Sequence, residues 1–380
     1  MARTKSNNPY ANKSTAHRGH KEGSIYQLKN GRWMGQVQVG IKPDGSRKFA
    51  TKSARTRKEV AEWLTQIQND VNRNDFIEPS KLTVEEWFWS WMNIYKRTTV
   101  SPSTYARYVS MMKYYIVPAV GKIKLSDLKA THIQRFYNKL YNDGMAYTTR
   151  KHMHTVFNQA LQCAVNEGLI HKNYALNTTR QKDKNTDYEV EVFTPEEQKK
   201  LIKNLGITPI EVLVRLALGT GCRLGELLGL SWDDIDFENN LIHITHGLKR
   251  ENIYDEEGKN VIDSVIKIGD LKTVKSKRTI PIADVTARVL MKYKLKQREF
   301  IDVDVYPNMV FLTRKGKPFD SSSVRTQYAR LLKRLGIPYR KFHALRHTYA
   351  TRLMENGIHP KVAQELLGHS TCDITMAVYS

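Results

Sequence analysis

Cysteine is scarce in this sequence, and long apolar runs are missing from it. The chain has 380 residues but only three cysteines, which lie too far apart for a disulfide framework or a zinc site built from cysteine alone. Its longest apolar stretch, residues 210–221, contains Glu211 and Arg215 and is shorter than the roughly 18 apolar residues of a membrane span. The first residues contain no apolar segment of a secretory signal. These absences argue against a secreted scaffold and predict a protein of a reducing compartment.

Acidic residues are also few beside the basic ones. There are 61 Lys and Arg against 38 Asp and Glu, a net charge of +23. The excess is +8 over residues 1–80, +8 over 81–190 and +7 over 191–380, so it is spread along the chain. A polyanion that contacts every part of the molecule fits this distribution, and nucleic acid is favoured. A charge used only for solubility and an anionic membrane surface are the alternatives, but no basic amphipathic helix stands out.

Polar, charged linkers near residues 75–81 and 180–187 divide the chain. They predict a disordered basic arm at 1–22, a small sheet-and-helix domain at 23–74, a helical domain at 82–177 and a mixed, mainly helical domain at 188–380. The arm either touches DNA or is a solubility tail. Aromatic residues recur at helical spacing at the start of the helical domain, where we expect them to form core rather than to stack on bases.

The small domain shows the alternation of a half-buried strand from Trp33 to Val39, flanked by strands at 24–28 and 47–51. A capping box at Thr56 and Glu59 opens a helix that runs to about residue 71. Basic residues on such a sheet suit insertion into a DNA groove, although an ordinary small fold with a solvated basic face would look the same. The candidate DNA contacts are Arg32, Lys42, Arg47, Lys48 and Lys52.

Four local clusters in the last domain carry possible chemistry. Gly-rich residues 219–222 precede Arg223 and Glu226, which are three residues apart on one helical face. Residues 271–278 form a predicted basic hairpin, in which one lysine could approach a phosphate or a leaving oxygen; Lys275, Lys277 and Arg278 are candidate DNA contacts. By themselves, a surface Arg–Glu pair and a solvated basic turn would explain both clusters.

The remaining clusters contain histidines and a tyrosine. His343 and Arg346 share a helical face, and Gly368-His369 is followed by Tyr379. Together, two arginines, two histidines and a lysine can neutralise a pentavalent phosphorane, while a tyrosine hydroxyl attacks the phosphodiester. Such a site needs no metal, and we expect no cofactor. The acidic run at residues 233–236 is interpreted as a turn rather than a metal site.

The order Thr-Gly-x-Arg-x-x-Glu, basic-segment Lys, His-x-x-Arg, Gly-His and Tyr resembles the tyrosine recombinases of the phage integrase family. The resemblance covers residues 190–380 and implies a multidomain α+β fold, in which the domains at 23–74 and 82–177 are arm-site and core-binding domains. It implies that Arg223 and Arg346 clamp the scissile phosphate, with His343 as the partner of Arg346 and His369 as the second histidine of the site. Glu226 would support them, Tyr379 would be the nucleophile and Lys272 the general acid, with Lys275 as the alternative lysine.

The resemblance also implies the function. We expect a site-specific recombinase of a phage or conjugative transposon that integrates and excises DNA through a 3′-phosphotyrosine and a Holliday junction, without metal or ATP. Its expected partners are double-stranded DNA with core and arm sites, a tetramer of its own chain, a directionality factor and a host bending protein. It would work on DNA in the bacterial cytoplasm, without a membrane partner.

Three other functions remain possible from the residues alone: a DNA-binding protein without catalysis, a topoisomerase of type IB and a metal-dependent nuclease. The chain ends one residue after Tyr379, whereas family members usually continue into a tail that docks on a neighbouring subunit. We therefore expect cleavage to survive better than tetramer assembly.

Overall fold

The computed structural model describes residues 23–42, 44–73, 76, 81–183, 190–271, 276–301, 306, 308–369 and 371. The predicted basic arm at 1–22 lies outside these residues. Contacts divide the described chain into two units, one made of residues up to 100 with 107–183, the other of residues 101–106 and those from 190 onward. Within the described residues, no helix is both long and apolar enough to cross a membrane. The domain boundaries themselves stay predictions.

The amino-terminal part is an antiparallel sheet covered by one helix, as the alternation and the capping box predict. Strands β1, β2 and β3 pair in that order, and helix α1 packs against β2 and β3. A methyl group on Gly35 would lie 2.6 Å from Val60 of the helix, so the backbone of β2 and the helix approach closely. The bounds are Ser24–Gln27 (β1), Trp33–Ile41 (β2), Arg47–Ala54 (β3) and Arg57–Asn72 (α1).

The next part of the chain is all helical within its described residues. Its aromatic side chains form the core, as expected from their helical spacing: Phe88 and Trp91 are almost completely buried, and Trp87 donates to the carbonyl of Ala160 at 2.9 Å. π-helical turns extend α2 and α3, at Met92–Lys96 and Met112–Ile116. The helices are Val84–Trp91 (α2), Pro102–Met111 (α3), Val117–Val120 (α4), Ala130–Asn142 (α5) and Tyr147–Asn166 (α6).

The carboxy-terminal part mixes helices with short strands. Thr194 and Glu197 form the capping box that opens its first helix, and the second is buried on most of its surface because its residues are almost all apolar. The helices are Pro195–Lys203 (α7), Pro209–Thr220 (α8), Leu224–Gly229 (α9), Asp284–Lys296 (α10), Ser321–Arg334 (α11), Ala344–Glu355 (α12) and Pro360–Leu367 (α13).

The strands of this part form a three-stranded sheet, in the order β4-β5-β8, and a two-stranded ribbon of β6 and β7. They are Ile235–Asp236 (β4), Leu241–Ile244 (β5), His246–Tyr254 (β6), Val261–Asp270 (β7) and Arg278–Pro281 (β8). Strand β7 pairs with β6, and β8 pairs with β5. Asp270 lies opposite His246 and Arg278 opposite Ile244. The two strands that flank the basic segment therefore do not pair with each other as the predicted hairpin requires, and residues 272–275 of the segment lie outside the described residues.

Candidate active site

The first arginine is positioned by the junction of two helices. Helix α8 ends at Gly221, whose φ of 63° is the left-handed region that favours glycine, and α9 begins directly after Arg223. A methyl group on Gly221 would lie 2.4 Å from Tyr349, so glycine is required there for space as well. Arg223 Nη1 donates to Glu226 Oε1 at 2.8 Å, and its backbone N–H donates to Oε2 at 2.8 Å. The predicted Arg–Glu pair thus exists, and it closes the first turn of α9.

The second arginine lies in the interior. Arg346, on the first turn of α12, is 3% exposed, and its Nη1 donates to the carbonyl of Gly221 at 2.7 Å. His343 caps the same helix and accepts at its carbonyl from the backbone N–H of Arg346. The ring of His347 meets that of His343 edge-on, with 4.6 Å between centroids. His343 and Arg346 therefore share one end of α12, as their spacing predicts.

The end of helix α13 brings these residues together. The last carbonyls of a helix have no partner within it and carry its negative dipole end, so they attract cations. Here three consecutive carbonyls accept from three arginines: Leu366 from Arg278 Nε (2.6 Å), Leu367 from Arg346 Nη2 (2.7 Å) and Gly368 from Arg223 Nη2 (3.0 Å). We call this arrangement the arginine hub. It sets the two predicted arginines on one short stretch of backbone, beside His369.

His369 follows the helix directly. Gly368 turns the chain with a φ of 65°, and the backbone of His369 is held at both ends by Gln364, which accepts its N–H and donates to its carbonyl at 3.0 Å. His369 is buried. Its position therefore depends on the same helix end that binds the arginines.

The third arginine of the hub was expected to contact DNA, and the structure contradicts this. The side chain of Arg278 is only 6% exposed. Its guanidinium donates to the carbonyl of Ser276 at 3.0 Å and to Glu226 Oε2 at 2.9 Å, besides its bond to the helix end. Burial opposes the charge of Glu226, but the hydrogen bonds and charges of Arg278 and Arg223 hold its pKa below the ordinary value. A buried Glu226–Arg278 pair, joined by the partly exposed Arg223, thus underlies the site.

The histidines of the site are kept neutral. Burial, and after it the electrostatic effects of the neighbouring His347, Arg346 and Arg223, lower the pKa of His343 to about 4. Burial, then Arg346 and Arg223, lowers the pKa of His369 to about 4 as well. Burial and the neighbouring cation Arg223 lower the pKa of Arg346 to about 9, so it stays charged at neutral pH. An anion bound between Arg223 and Arg346 would relieve the repulsion between their two positive charges.

An open cleft of about 430 Å³ leads to these side chains. His343 and Arg346 line it, with Cys222 and Leu224 from the α8–α9 junction. Three cleft residues that the sequence analysis missed are Arg325, Tyr339 and Lys341. Tyr339 and Lys341 lie just before His343 in the sequence, whereas Arg325 lies on α11 and only the tertiary structure brings it to the cleft. A cleft with fixed guanidinium and imidazole groups can bind a phosphodiester and neutralise charge that develops on it.

The remaining predicted site residues are placed as follows. Lys272, Lys275 and Tyr379 lie outside the described residues. Lys277 is exposed beside the hub. On the small sheet, Gly35 and Val37 face α1, and the pairing of Gly35 with Lys52 puts Lys48 and Lys52 on that same side. Arg47 lies on the opposite side, so the five basic residues proposed there do not share one face.

The acidic run at 233–236 serves local turns. Asp234 accepts from the backbone N–H and hydroxyl of Ser231, both at 2.8 Å, and Asp236 accepts from the backbone N–H of Asn239 at 2.9 Å. Within the part of the chain that the structure describes, no three His, Cys, Asp or Glu side chains converge as metal ligands would.

Comparison with known proteins identifies the family of the chain. The model of the phage integrase family matches residues 191–380, and that of the phage integrase N-terminal SAM-like domain matches residues 83–141. A tyrosine recombinase XerC-like protein of Caldanaerobacter subterraneus subsp. tengcongensis is 34% identical over 375 residues, 93% of each chain. The transposase of transposon Tn916 from Enterococcus faecalis is 24% identical, over 84% of this chain and 79% of the relative.

Solved structures show the same fold. The Tn1549 transposon integrase in complex with transposon right end DNA has a TM-score of 0.64 at 23% identity, covering 79% of this chain and 95% of that one. A lambda integrase tetramer bound to a Holliday junction has a TM-score of 0.59 at 19% identity, covering 95% and 96%.

The chain belongs to the phage integrase family. It is a tyrosine recombinase, an enzyme of site-specific DNA recombination of the kind that integrates and excises mobile elements. The expectations for the multidomain α+β fold and for this enzyme class are confirmed.

Proposed function

We propose that the cleft binds the scissile phosphate and that Tyr379 attacks it. The tyrosine oxygen bonds to phosphorus, the bond from phosphorus to the 5′ oxygen breaks, and a 3′-phosphotyrosine remains. Lys272 protonates the leaving 5′ oxygen, with Lys275 as the alternative donor. A 5′-hydroxyl from the partner strand then reverses the step, which joins the strands and frees the tyrosine. The energy of the original bond is kept in the phosphotyrosine, so the reaction needs no ATP.

The meeting of Arg223 and Arg346 at the end of α13, beside His369 and next to the cleft that His343 and Arg346 line, carries this proposal. The arginines neutralise the non-bridging oxygens, whose charge grows in the transition state. A neutral His343 can take up the phenol proton of Tyr379, which a protonated imidazole could not. His369 can donate its ring N–H to a non-bridging oxygen. These cationic and hydrogen-bonding groups supply the charge neutralisation for which other phosphoryl-transfer enzymes use a metal ion.

The other domains would select the DNA. In our proposal, the basic arm and the amino-terminal sheet bind arm sites, and the helical and catalytic domains clamp the core site. Four copies of the chain assemble on two core sites and exchange strands through a Holliday junction. A directionality factor and a host bending protein would choose between integration and excision, in the bacterial cytoplasm. The spread of positive charge over all parts of the chain supports contact with DNA along its length.

The decisive experiment tests for a covalent adduct. A library of randomised duplexes is first selected for binding to the full chain, and duplexes carrying the selected sequence receive a single nick at successive positions. Each is incubated with the chain and with Tyr379→Phe in the presence of a chelator and without ATP. We expect a protein–DNA adduct on a denaturing gel with Tyr379 only. Tight binding without an adduct would contradict the proposal and favour a DNA-binding protein without catalysis.

Two further outcomes separate the rival functions. Cleavage that needs a divalent cation would indicate a metal-dependent nuclease. Relaxation of a supercoiled plasmid that lacks the selected sequence would indicate a topoisomerase. The general acid is identified on a duplex whose 5′ bridging oxygen is replaced by sulfur, because a thiolate leaves without a proton. Lys272→Ala should regain cleavage on that duplex; if Lys275→Ala does so instead, Lys275 is the general acid.

A further inference from the structure

Arg278, the third arginine of the hub, has no role in the reaction proposed above, yet all three of its guanidinium nitrogens are hydrogen-bonded within the protein. Each nitrogen of the Arg278 guanidinium donates to an acceptor: the carbonyls of Leu366 and Ser276 and the carboxylate of Glu226. Its side chain is 6% exposed, whereas that of Arg223 is 40% exposed. Arg278 therefore cannot reach a phosphate without breaking these bonds, and any role it has must pass through other residues.

The carboxylate of Glu226 connects Arg278 to Arg223. One oxygen accepts from Arg223 Nη1 at 2.8 Å, and the other from Arg278 Nη2 at 2.9 Å. The second oxygen also accepts the backbone N–H of Arg223. Because the carboxylate is held from both sides and Arg223 Nη2 also donates to the carbonyl of Gly368, the guanidinium of Arg223 is fixed in direction. The carboxylate is 4% exposed, so it depends on both cations to stay charged.

Arg278 also joins three elements that carry different parts of the site. It begins strand β8, next to the basic segment, it contacts Glu226 of α9, and it binds the end of α13 just before His369. A methyl group on Gly368 would lie 3.0 Å from Arg278 Nη1, so the guanidinium packs directly under the turn that leads to His369. A shift of Arg278 would therefore displace both the start of α9 and the end of α13.

We propose that Arg278 is a positioning residue for recombination: through Glu226 and the end of helix α13 it holds Arg223 in the direction that meets the scissile phosphate. The inference rests on the proposed function, since it concerns the same phosphate. It assigns Arg278 to the interior of the site and not to DNA binding.

The substitution Arg278→Lys tests this positioning role, because it keeps the positive charge and removes the guanidinium. A lysine ammonium can replace one or two of the three bonds but cannot span the three acceptors as the planar guanidinium does. The matched control is Arg352→Lys. Arg352 likewise has three partners, Gln198, Glu355 and the carbonyl of Phe193, but it lies outside the cleft. Glu226→Gln is a second test variant, which keeps the shape of the side chain if Arg278→Lys fails to fold.

The measurement compares two substrates. One is the nicked selected duplex, and the other has a methylphosphonate at the scissile position, which carries no negative charge for Arg223 to neutralise. On the ordinary duplex we expect adduct formation by Arg278→Lys to be about 100-fold slower than by the unaltered chain, as for loss of one oriented transition-state donor. On the methylphosphonate the difference should shrink to about 3-fold or less, because the misdirected guanidinium is no longer needed. Duplex affinity should not change, and Arg352→Lys should match the unaltered chain on both.

The outcomes separate the two proposals. No adduct from the unaltered chain would overturn the proposed function and this inference with it. An adduct from the unaltered chain, with equal losses for Arg278→Lys on both substrates, would overturn the inference alone and leave Arg278 a purely structural residue. Unimpaired cleavage of the ordinary duplex by Arg278→Lys would also overturn it. If Arg278→Lys does not fold, the same two rates for Glu226→Gln decide the matter.

Discussion

At the scale of single residues, glycine determines where two arginines of the site can act. Gly221 ends α8 in the left-handed region and offers its carbonyl to Arg346, two residues before Arg223. A side chain there would meet Tyr349. The Thr-Gly pair of the sequence motif therefore has a structural role. Thr220 is buried and its hydroxyl donates to the carbonyl of Leu216, and Gly221 makes the turn.

Gly221→Ala should therefore cost more than the strained backbone alone. Gly357→Ala is the matched control in the same unit, since Gly357 has a φ of 74° but no atom within 4 Å of an added methyl group. We expect the control to lower the free energy of unfolding by about 1 kcal/mol. Gly221→Ala should lower it by about 1–3 kcal/mol more, from overpacking, and should slow adduct formation. Equal losses in urea unfolding would contradict this account.

The histidines predict a dependence of stability on pH. His369 has a pKa of about 4 in the folded chain, below its ordinary 6.5, because of burial and the charges of Arg346 and Arg223. Between these values the unfolded chain binds the proton more readily, so folding loses stability as pH falls from about 6.5 to 4. We expect a loss of about 1 kcal/mol between pH 7 and 5, after allowance for partial exposure to solvent.

Urea unfolding at a series of pH values measures this loss, and His369→Gln should flatten the curve. Bound duplex DNA should flatten it too, because a phosphate in the cleft offsets the arginine charges and raises the pKa of His369. Parallel curves for the variant and the unaltered chain would show that other groups cause the acid sensitivity.

At the scale of elements, the register of the small sheet separates two kinds of side chain. Gln36 and Gln38 lie on the face away from α1, with Thr51 and Phe49 opposite them on β3. Glutamine can bond both groups that adenine presents in the major groove, whereas lysine contacts phosphates. The face away from the helix is therefore the one suited to bases, and Lys48 on the other side is suited to the backbone.

Gln36→Ala and Lys48→Ala should thus have different effects on DNA binding. We expect Gln36→Ala to relax the preference at one base pair, with a cost of about 1–3 kcal/mol there, and to leave the salt dependence unchanged. Lys48→Ala should weaken binding to all sequences and reduce the salt slope by about 1. Selection from a randomised duplex library, followed by titrations at several salt concentrations, measures both. If Gln36→Ala selects the same sequence as the unaltered chain, with equal preference at every base pair, this face has no role in reading bases.

At the scale of the whole molecule, the even distribution of charge matters most. A net charge of +23 shared by every part of the chain suits a protein that contacts DNA at many phosphates. With about six to ten phosphate contacts, binding to a duplex of unselected sequence should weaken about 1,000-fold or more between 50 and 200 mM salt. Fluorescence anisotropy with a labelled duplex tests this. A loss below about 10-fold would mean that few phosphates are bound and that the charge serves mainly solubility.

The sequence predicted features that depend on neighbouring residues better than features that depend on contacts between distant parts of the chain. A capping box predicts the helix after Thr56, alternation predicts the strand around Trp33, and both are confirmed, because their causes lie within a few residues. Strand β6 and the pairing of β7 with it were missed, and the strands that flank the basic segment do not pair with each other as the predicted hairpin requires. Pairing depends on distant partners, and the sequence alone does not show which strand lies opposite which.

The sequence by itself determined the family, the types of residue that the reaction needs and their order along the chain, because each motif spans only a few positions. The tertiary structure decided which of these side chains meet. It placed Arg223, Arg346 and Arg278 on successive carbonyls at the end of α13 and removed Arg278 from the DNA surface. It also brought Arg325 and Lys341 into the cleft. The reason is physical: a helix end with unpaired carbonyls attracts any cation that packing brings near, and only packing determines which ones those are.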